Sequence, residues 1–371
     1  MADKITLLLM VGGWGKSEVE QALDGAHRAA ARDLLELLLR TGWIGRAIVA
    51  TDDSAWGDVL AGLPVEVDLD PLGQPFHFGR RLAGLIERYG GERVLYSGGA
   101  SAPLLGVECW SEVLARLGEA ERLVVTNNLH SSDWVGFVPA AGVAPRIARQ
   151  VNDNAIAWAL TYEGGLPAET LPASAATRFD LDTPADLLIA GRHPGSGPHL
   201  RRFLAGLGWK SPQLDGLLAA MAREGGSLAV IGRVSEAAWA ALERATRCWV
   251  RVFAEERGMR ASGRQARGQV RSLLADYLEL VGLERFFEEL AELAEGVLFD
   301  NRVLLAARRL WPSARDRFNS DLHRWDAVEE PFLRDFTRAA AEARVPVVLG
   351  GQAVVVGGLM ALVEAFEMRK R

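Results

Sequence analysis

Two carboxylates two residues apart, followed by a threonine and a proline, form the segment of this sequence best suited to chemistry. The segment reads Arg178-Phe179-Asp180-Leu181-Asp182-Thr183-Pro184-Ala185-Asp186-Leu187. Its alternating pattern predicts a strand that projects Asp180 and Asp182 from one face, and Thr183-Pro184 predicts the start of a helix. Paired carboxylates at the carboxyl end of a strand can hold a divalent cation against a phosphate. An ordinary joint between a strand and a capped helix, with solvated acids, fits the same spacing.

Buried strands alternate with amphipathic helices through the first half of the chain. Apolar runs predict strands over residues 5–10, 44–50, 65–69, 93–96 and 122–126, and helices over 25–40, 78–89 and 110–117. This alternation predicts an α/β fold with a mostly parallel sheet and helices on both faces. Ligands of such sheets lie at the carboxyl ends of the strands, so the loops that leave those ends are the candidate binding loops.

A run of glycine, proline and serine over residues 191–198 predicts a domain boundary. The first domain would span residues 1–192. Residues 199–371 would form a second, smaller α/β domain, with strands predicted over 227–231, 248–253 and 344–349.

Arginines follow one strand of this second domain and glycines follow the last. They predict a site for a phosphate or carboxylate, made of Arg257, Arg260, Arg264, Gly350 and Gly351. A solvated, arginine-rich helix start paired with Glu255 and Glu256 explains the same residues without a ligand.

Three features of the first half occur together in one known superfamily. Lys16-Ser17 is followed twelve residues later by Arg28 at a helix start, Gly98 to Leu105 follows the fourth strand, and Phe179 to Leu187 carries the Asp-x-Asp-Thr-Pro-x-Asp-Leu pattern. In these features residues 4–192 resemble the GT-A-like nucleotidyltransferases, nearest the branch that contains the 2-phospholactate guanylyltransferases and related glycosyltransferase-like proteins.

The resemblance implies a nucleotide-diphospho-sugar transferase-like fold. It also implies Mg²⁺-assisted transfer of a nucleotidyl group, or of a sugar, to a small phosphorylated or hydroxyl acceptor. It gives catalytic roles to Lys16 and Asp182 and makes Asp180 and Asp182 the Mg²⁺ ligands. The nucleotide would be bound by Gly12, Gly13, Lys16, Gly98, Gly99 and Ser101. The acceptor would be bound by Asn127, Asn128, Asp133, Asp153 and Asn154.

Two positions depart from the family pattern. Ser101 stands where the family has a metal-holding aspartate, and Glu18 stands where it has an arginine. Unless Asp52, Asp53 or Asp180 replaces the missing carboxylate, the alternative is a catalytically degenerate nucleotide- or sugar-phosphate-binding protein that acts as a sensor or scaffold. Lys16 alone also fits a solvated loop charge, and Asn127-Asn128 also fits a turn.

Composition excludes several other classes of function. A net charge of −6 predicts no general attraction to nucleic acid or to anionic membranes. Two distant cysteines predict a reducing, cytoplasmic environment without a disulfide framework or a zinc site. The most apolar segment, residues 345–366, contains four glycines and predicts a buried strand and helix in place of a membrane span.

Overall fold

The structure is a computed structural model that describes residues 4–13, 15–71, 73 and 75–370. These residues form two compact units. The first unit contains the described residues of 4–13, 24–180 and 195–203, and the second contains 15–23, 181–194 and 204–370. The segment predicted as a domain boundary, residues 191–198, contains one of the points where the chain passes from one unit to the other.

The sheet of the first unit is mostly parallel, as predicted. Its strands are β1 Ile5–Val11, β2 Ile44–Thr51, β3 Glu66–Leu69, β4 Val94–Gly98, β5 Leu123–Thr126, β6 Trp134–Val138 and β7 Ala168–Thr170. The strand order is β3-β2-β1-β4-β6-β5-β7, and β6 alone runs antiparallel to its neighbours. The sequence did not predict β6, because Gly136 interrupts the run of larger apolar residues in this strand. A side chain at Gly136 would collide with Val125 and Leu117.

Helices cover both faces of this sheet. They are α1 Glu18–Arg40, α2 Ser54–Val59, α3 Phe78–Tyr89, α4 Val107–Glu119, α5 Ala144–Ile147, α6 Ile156–Trp158 and α7 Ala175–Arg178, with a π-helical turn at Ala159–Glu163. Alternate residues of β1 serve the two faces, because Leu7 and Leu9 pack in the cluster that contains Leu35, whereas Leu8 packs in the cluster that contains Leu82.

The prediction of a strand that carries Asp180 and Asp182 is wrong. Helix α7 occupies residues 175–178, and residues 179–183 have no regular structure. Ser174 and Thr177 cap this helix reciprocally, with the Ser174 amide donating to Thr177 Oγ1 over 3.0 Å. This local capping box favours a helical turn over an extended segment. Asp180 and Asp182 therefore do not project from one face of a strand, although the helix predicted after Thr183 is present.

The second unit contains a smaller α/β structure, as predicted. Its strands are β8 Ser227–Gly232, β9 Trp249–Ala254, β10 Gly296–Asp300 and β11 Val347–Gly350, all parallel in the order β11-β10-β8-β9. The later helices of the chain are α8 Pro184–Ala190, α9 Pro198–Leu207, α10 Pro212–Ala222, α11 Glu236–Ala245, α12 Leu273–Val281, α13 Leu283–Leu293, α14 Arg302–Ala307, α15 Ala314–Asp321, α16 Pro331–Glu342 and α17 Gly357–Lys370.

Aromatic packing covers one face of this second sheet. Phe299 of β10 lies 5.6 Å from Phe336 of α16 and 6.3 Å from Phe286 of α13, measured between ring centroids. Short 3₁₀ turns occupy Trp325–Ala327 and Gln352–Val355. No helix in the described ranges is both long enough and apolar enough to cross a lipid bilayer.

Candidate functional site

Four glycines of the predicted nucleotide site lie at one edge of the first sheet. β1 and β4 are adjacent parallel strands, and the Gly99 amide donates to the Met10 carbonyl over 3.0 Å. Gly12 and Gly13 follow β1, and a side chain at Gly12 would meet none of the described residues within 4 Å. A side chain at Gly99, in contrast, would approach Val11 Cγ2 to 2.7 Å, so packing on Val11 requires this glycine. The open backbone of the site is therefore that of Gly12, whereas a side chain at Gly13 would approach Asp52 Oδ2 to 3.3 Å.

Carboxylates stand beside this open backbone. Asp52 is exposed, and both of its carboxylate oxygens accept from the Gly13 amide over 3.2 Å. Asp53 caps α2 through the Ala55 amide and pairs with Arg28 at 3.0 Å. A bare phosphate at Gly13 would compete with Asp52 for the amide and would be repelled by the Asp52 charge. A cation bound to the phosphate would remove this repulsion.

Lys16 lies at the start of α1, in the second unit, and is exposed. The next residue, Ser17, donates its amide to Glu20 Oε2 over 3.1 Å and its hydroxyl over 2.5 Å, while the Glu20 amide donates to the Ser17 hydroxyl over 3.4 Å. This capping box explains why α1 begins at Glu18, well before the predicted start at residue 25. The Ser17 amide, next to Lys16, therefore already donates to the Glu20 carboxylate.

The departure at Glu18 has a partner that the sequence did not reveal. The Arg324 guanidinium lies 3.1 Å from the Glu18 carboxylate and 5.4 Å from the Trp209 ring centroid. These residues all belong to the second unit. Arg324 therefore brings positive charge to the position where the family has an arginine, although an exposed pair of this kind contributes little stability.

Loops that leave β4 and β5 are tied together through Asp133, which immediately precedes β6. Asn127 donates to Asp133 Oδ2 over 2.5 Å, and the Asp133 amide donates back to Asn127 Oδ1 over 3.1 Å. Ser101 Oγ and the Gly98 amide both donate to the Asp133 carbonyl, over 2.8 and 3.2 Å. The structure thus joins four predicted site residues, and the Ser101 hydroxyl is used within the protein.

Asp153 and Asn154 join the same network. Ser132 Oγ donates to the Asp153 carbonyl over 2.8 Å, and Ser131 Oγ lies 3.2 Å from Asn154 Oδ1. The Tyr96 hydroxyl donates to Asp153 Oδ2 over 3.2 Å. Burial raises the pKa of Tyr96 well above its usual range, and the Asp153 charge raises it further, so Tyr96 stays a donor.

Asn128 has a different role from the other predicted acceptor residues. Its side-chain oxygen accepts from the His130 amide over 3.2 Å, which forms an Asx turn. This geometry fits the interpretation of Asn128 as a turn residue.

The two predicted metal ligands belong to different units. Asp180 is half-buried in the first, and Asp182 is exposed in the second. The backbone after Asp182 is fixed by Asp186, which the sequence analysis gave no role in the site. Asp186 Oδ2 accepts from the Asp182 amide over 3.1 Å and from the Thr183 amide and hydroxyl over 2.7 and 2.8 Å. The Thr-x-x-Asp spacing of a capping box was the available signal.

The donor set limits the kind of metal site this chain could form. In the part of the chain that the structure describes, no three His, Cys, Asp or Glu side chains are grouped as a cation site. Mg²⁺ is commonly bound through one or two carboxylates plus substrate phosphates and water. A site of this second kind takes most of its ligands from the nucleotide itself.

The predicted anion site of the second unit is not brought together. Arg257, Arg260 and Arg264 follow β9, whereas Gly350 ends β11 and Gly351 follows it, and these are the two outer strands of the sheet. Three strand spacings separate them by about 14 Å. Arg264 pairs with Glu256 at 2.5 Å, and a side chain at Gly351 would approach Thr183 Cγ2 to 3.1 Å. Arg264 and Gly351 thus serve internal pairing and packing.

No protein-family model matches this chain, and no curated protein matches it. Several solved structures do show similarity. A nucleotidyl transferase from Methanothermobacter is 14% identical, with 54% of this chain and 99% of that chain covered and a TM-score of 0.39. A 4-diphosphocytidyl-2C-methyl-D-erythritol synthase from Anaerococcus prevotii is 11% identical, with 56% and 100% covered and a TM-score of 0.37.

A Desulfovibrio desulfuricans protein described as a nucleotide-diphospho-sugar transferase is 15% identical, with 45% of this chain and 79% of that chain covered and a TM-score of 0.36. The similarity to these three solved structures covers about half of this chain.

Proposed function

We propose that the first unit binds a nucleoside triphosphate or a nucleotide sugar at the carboxyl ends of β1 and β4. The chain would transfer the nucleotidyl group, or the sugar, to a small phosphorylated or hydroxyl acceptor. The observation that supports this most is the hydrogen-bonded network of Ser101, Asn127 and Asp133 beside the open backbone of Gly12. Loops fixed in advance do not have to be ordered on binding, which favours affinity.

The residues would divide the work as follows in this proposal. The backbone of Gly12 and Gly13 would bind phosphate, and Asp52 would disfavour phosphate that carries no cation. Mg²⁺ bound with the nucleotide would neutralise charge in the transition state. Lys16 keeps the role of a point charge on phosphate, and Asp180 and Asp182 that of Mg²⁺ ligands.

The acceptor would face the exposed Asn154 and the half-buried Asp153. Asn127, which is 3% exposed, would hold the loops without touching the acceptor. A cytoplasmic location stays a prediction.

One observation favours the second candidate, a nucleotide- or sugar-phosphate-binding protein without transferase activity. Ser101 replaces the metal-holding aspartate of the family, and its hydroxyl donates to the Asp133 carbonyl. A site that lacks one carboxylate should hold Mg²⁺ less tightly, while backbone contacts to the nucleotide would be unaffected. Such a protein would bind nucleotides without needing the metal.

Thermal-shift measurements of the full chain with the four nucleoside triphosphates and with nucleotide sugars, each with and without Mg²⁺, separate the two candidates. Asp182→Asn is the test variant, and Asp58→Asn, an exposed aspartate of α2, is the matched control. A Mg²⁺-dependent shift that Asp182→Asn abolishes and Asp58→Asn keeps supports the transferase. A shift that is independent of Mg²⁺ supports the binding protein. Absence of any shift at millimolar ligand contradicts both.

A further inference from the structure

An open cavity of about 520 Å³ lies in the second unit and shares Arg260 with the predicted anion site. It is lined by Arg260, Gln265, Ala266, Gly268, Ala306, Arg309, Leu310 and Trp311. The loop after β9 forms one side, and the end of α14 with the residues that follow it forms the other. Buried Met259 and Val270 pack against Val303 and Ala306 of α14, so the loop is anchored. The volume is that of an ordinary small-molecule site.

Arg309 occupies a strained backbone position at this cavity. Its φ is +58°, the left-handed region that favours glycine. The Leu310 amide donates to the Leu305 carbonyl over 2.9 Å and the Arg309 amide to the Ala306 carbonyl over 3.0 Å, which is the Schellman ending of a helix. Arginine here costs about 1 kcal/mol relative to glycine. A side chain kept against this strain is a sign of function, and this side chain lines the cavity.

Positive charge accumulates around the cavity. Among the described residues neither Arg260 nor Arg309 belongs to an ion pair, whereas the nearby Arg264 is paired with Glu256. The Arg260 and Arg317 guanidinium groups lie 5.8 and 4.8 Å from the Trp311 ring centroid. Burial, and then the charges of Arg302 and Arg260, lower the pKa of Arg317 to about 10, against the opposing charge of Asp321. Excess cationic charge in a concave site favours an anionic ligand.

The cavity also offers an acceptor and an apolar wall. Gln265 Oε1 is buried and accepts no hydrogen bond from the described residues, although buried oxygens usually have a partner. Because this atom has almost no accessible surface, a ligand N–H group would reach it after the Gln265 side chain rotates toward the cavity. Trp311, which is 39% exposed, forms an apolar wall together with Ala306 and Leu310.

We propose that this cavity binds a phosphate monoester that carries a planar ring with an N–H donor, the chemistry of a nucleoside monophosphate. Arg260 and Arg309 bind the phosphate, Trp311 and Leu310 contact the ring, and Gln265 accepts from the ring N–H. This site is independent of the function proposed for the first unit, so either can hold without the other.

Isothermal titration calorimetry on the full chain tests the assignment, with AMP, GMP, the two nucleosides and inorganic phosphate as ligands. The test variants are Arg309→Gly and Arg260→Gln. The control is Arg257→Gln, since Arg257 is an exposed arginine of the same loop that does not line the cavity. At least one nucleoside monophosphate should bind more tightly than its nucleoside and than phosphate. Each test variant should weaken that binding about tenfold or more, and the control should not.

Arg309→Gly should also raise the thermal midpoint, because glycine relieves the backbone strain. Loss of binding therefore cannot be ascribed to misfolding. Asp182→Asn should leave the binding intact, which separates this cavity from the site of the first unit. Unchanged affinity in both test variants, or phosphate binding as tightly as the monophosphates, would overturn the proposal.

Discussion

Acid should destabilise the second unit through one histidine that is half-buried and has both ring nitrogens buried. His323 lies two residues after α15, and its φ of +58° places it in the left-handed region. Burial lowers the pKa of His323 from 6.5 to about 4. The Val347 backbone raises it slightly, although neither ring nitrogen makes a hydrogen bond of ordinary geometry with the described residues. The ring is therefore neutral in the folded protein near neutral pH.

The sign and size of the effect follow from proton linkage. The unfolded chain takes up a proton at His323 as the pH falls through 6.5, whereas the folded chain does so only near 4. The free energy of unfolding is thus unaffected above about pH 7.5 and falls as the pH drops from 6.5 to 4. The pKa difference corresponds to about 3 kcal/mol once pH 4 is reached, and to about 2 kcal/mol at pH 5.

Urea unfolding at pH 7.5 and pH 5.0 measures this term when the wild type is compared with His323→Asn. Asparagine tolerates the left-handed backbone and does not titrate. The variant should be less stable at both pH values, since it leaves space in the core. Between pH 7.5 and pH 5.0, the free energy of unfolding of the variant should fall by about 2 kcal/mol less than that of the wild type. All other titrating groups are common to both proteins, so equal losses would refute the assignment of a neutral His323.

Three further outcomes are expected. Asp186→Asn should be more stable than the wild type at pH 7 but not at pH 4 in urea unfolding. Burial, and then the Asp182 charge, raise the pKa of Asp186 in the folded protein. This carboxyl therefore stabilises the fold below its unfolded pKa of 3.8 and loses that effect as the pH rises. Equal effects of the substitution at both pH values would contradict this. Ser101→Ala should lower the free energy of unfolding by about 1 kcal/mol and weaken nucleotide affinity in calorimetry by no more than about fivefold, because the hydroxyl holds the loop through an internal bond. A tenfold loss of affinity would show direct contact. Gly99→Ala should destabilise the first unit by about 1–3 kcal/mol in thermal or urea unfolding, through overlap with Val11, and a neutral result would mean that Val11 can move aside.

The fold was predictable where local pattern alone decides it. Continuous apolar runs such as residues 5–10 specify buried strands, and their alternation with amphipathic helices specifies a parallel sheet. The segment before Asp180 was mispredicted because a capping box over four residues, Ser174 to Thr177, outweighs an alternating pattern.

The candidate site was predictable in part. Asn127 and Asp133 lie six residues apart on one connection, so their meeting could be expected from the loop alone. Strand order is not local, however, and it separates Arg260 from Gly350. The pair of Glu18 and Arg324 joins residues 306 positions apart, and no spacing rule on a single sequence reaches that distance.

Arg309, whose backbone is in the left-handed region at the end of α14, favours ligand binding but lowers thermal stability. A randomised library selected only for survival at high temperature should enrich Arg309→Gly, whereas one selected for retention on an immobilised nucleoside monophosphate should reject it. Sequencing the two selected pools would therefore show which of the two demands has kept arginine in that turn.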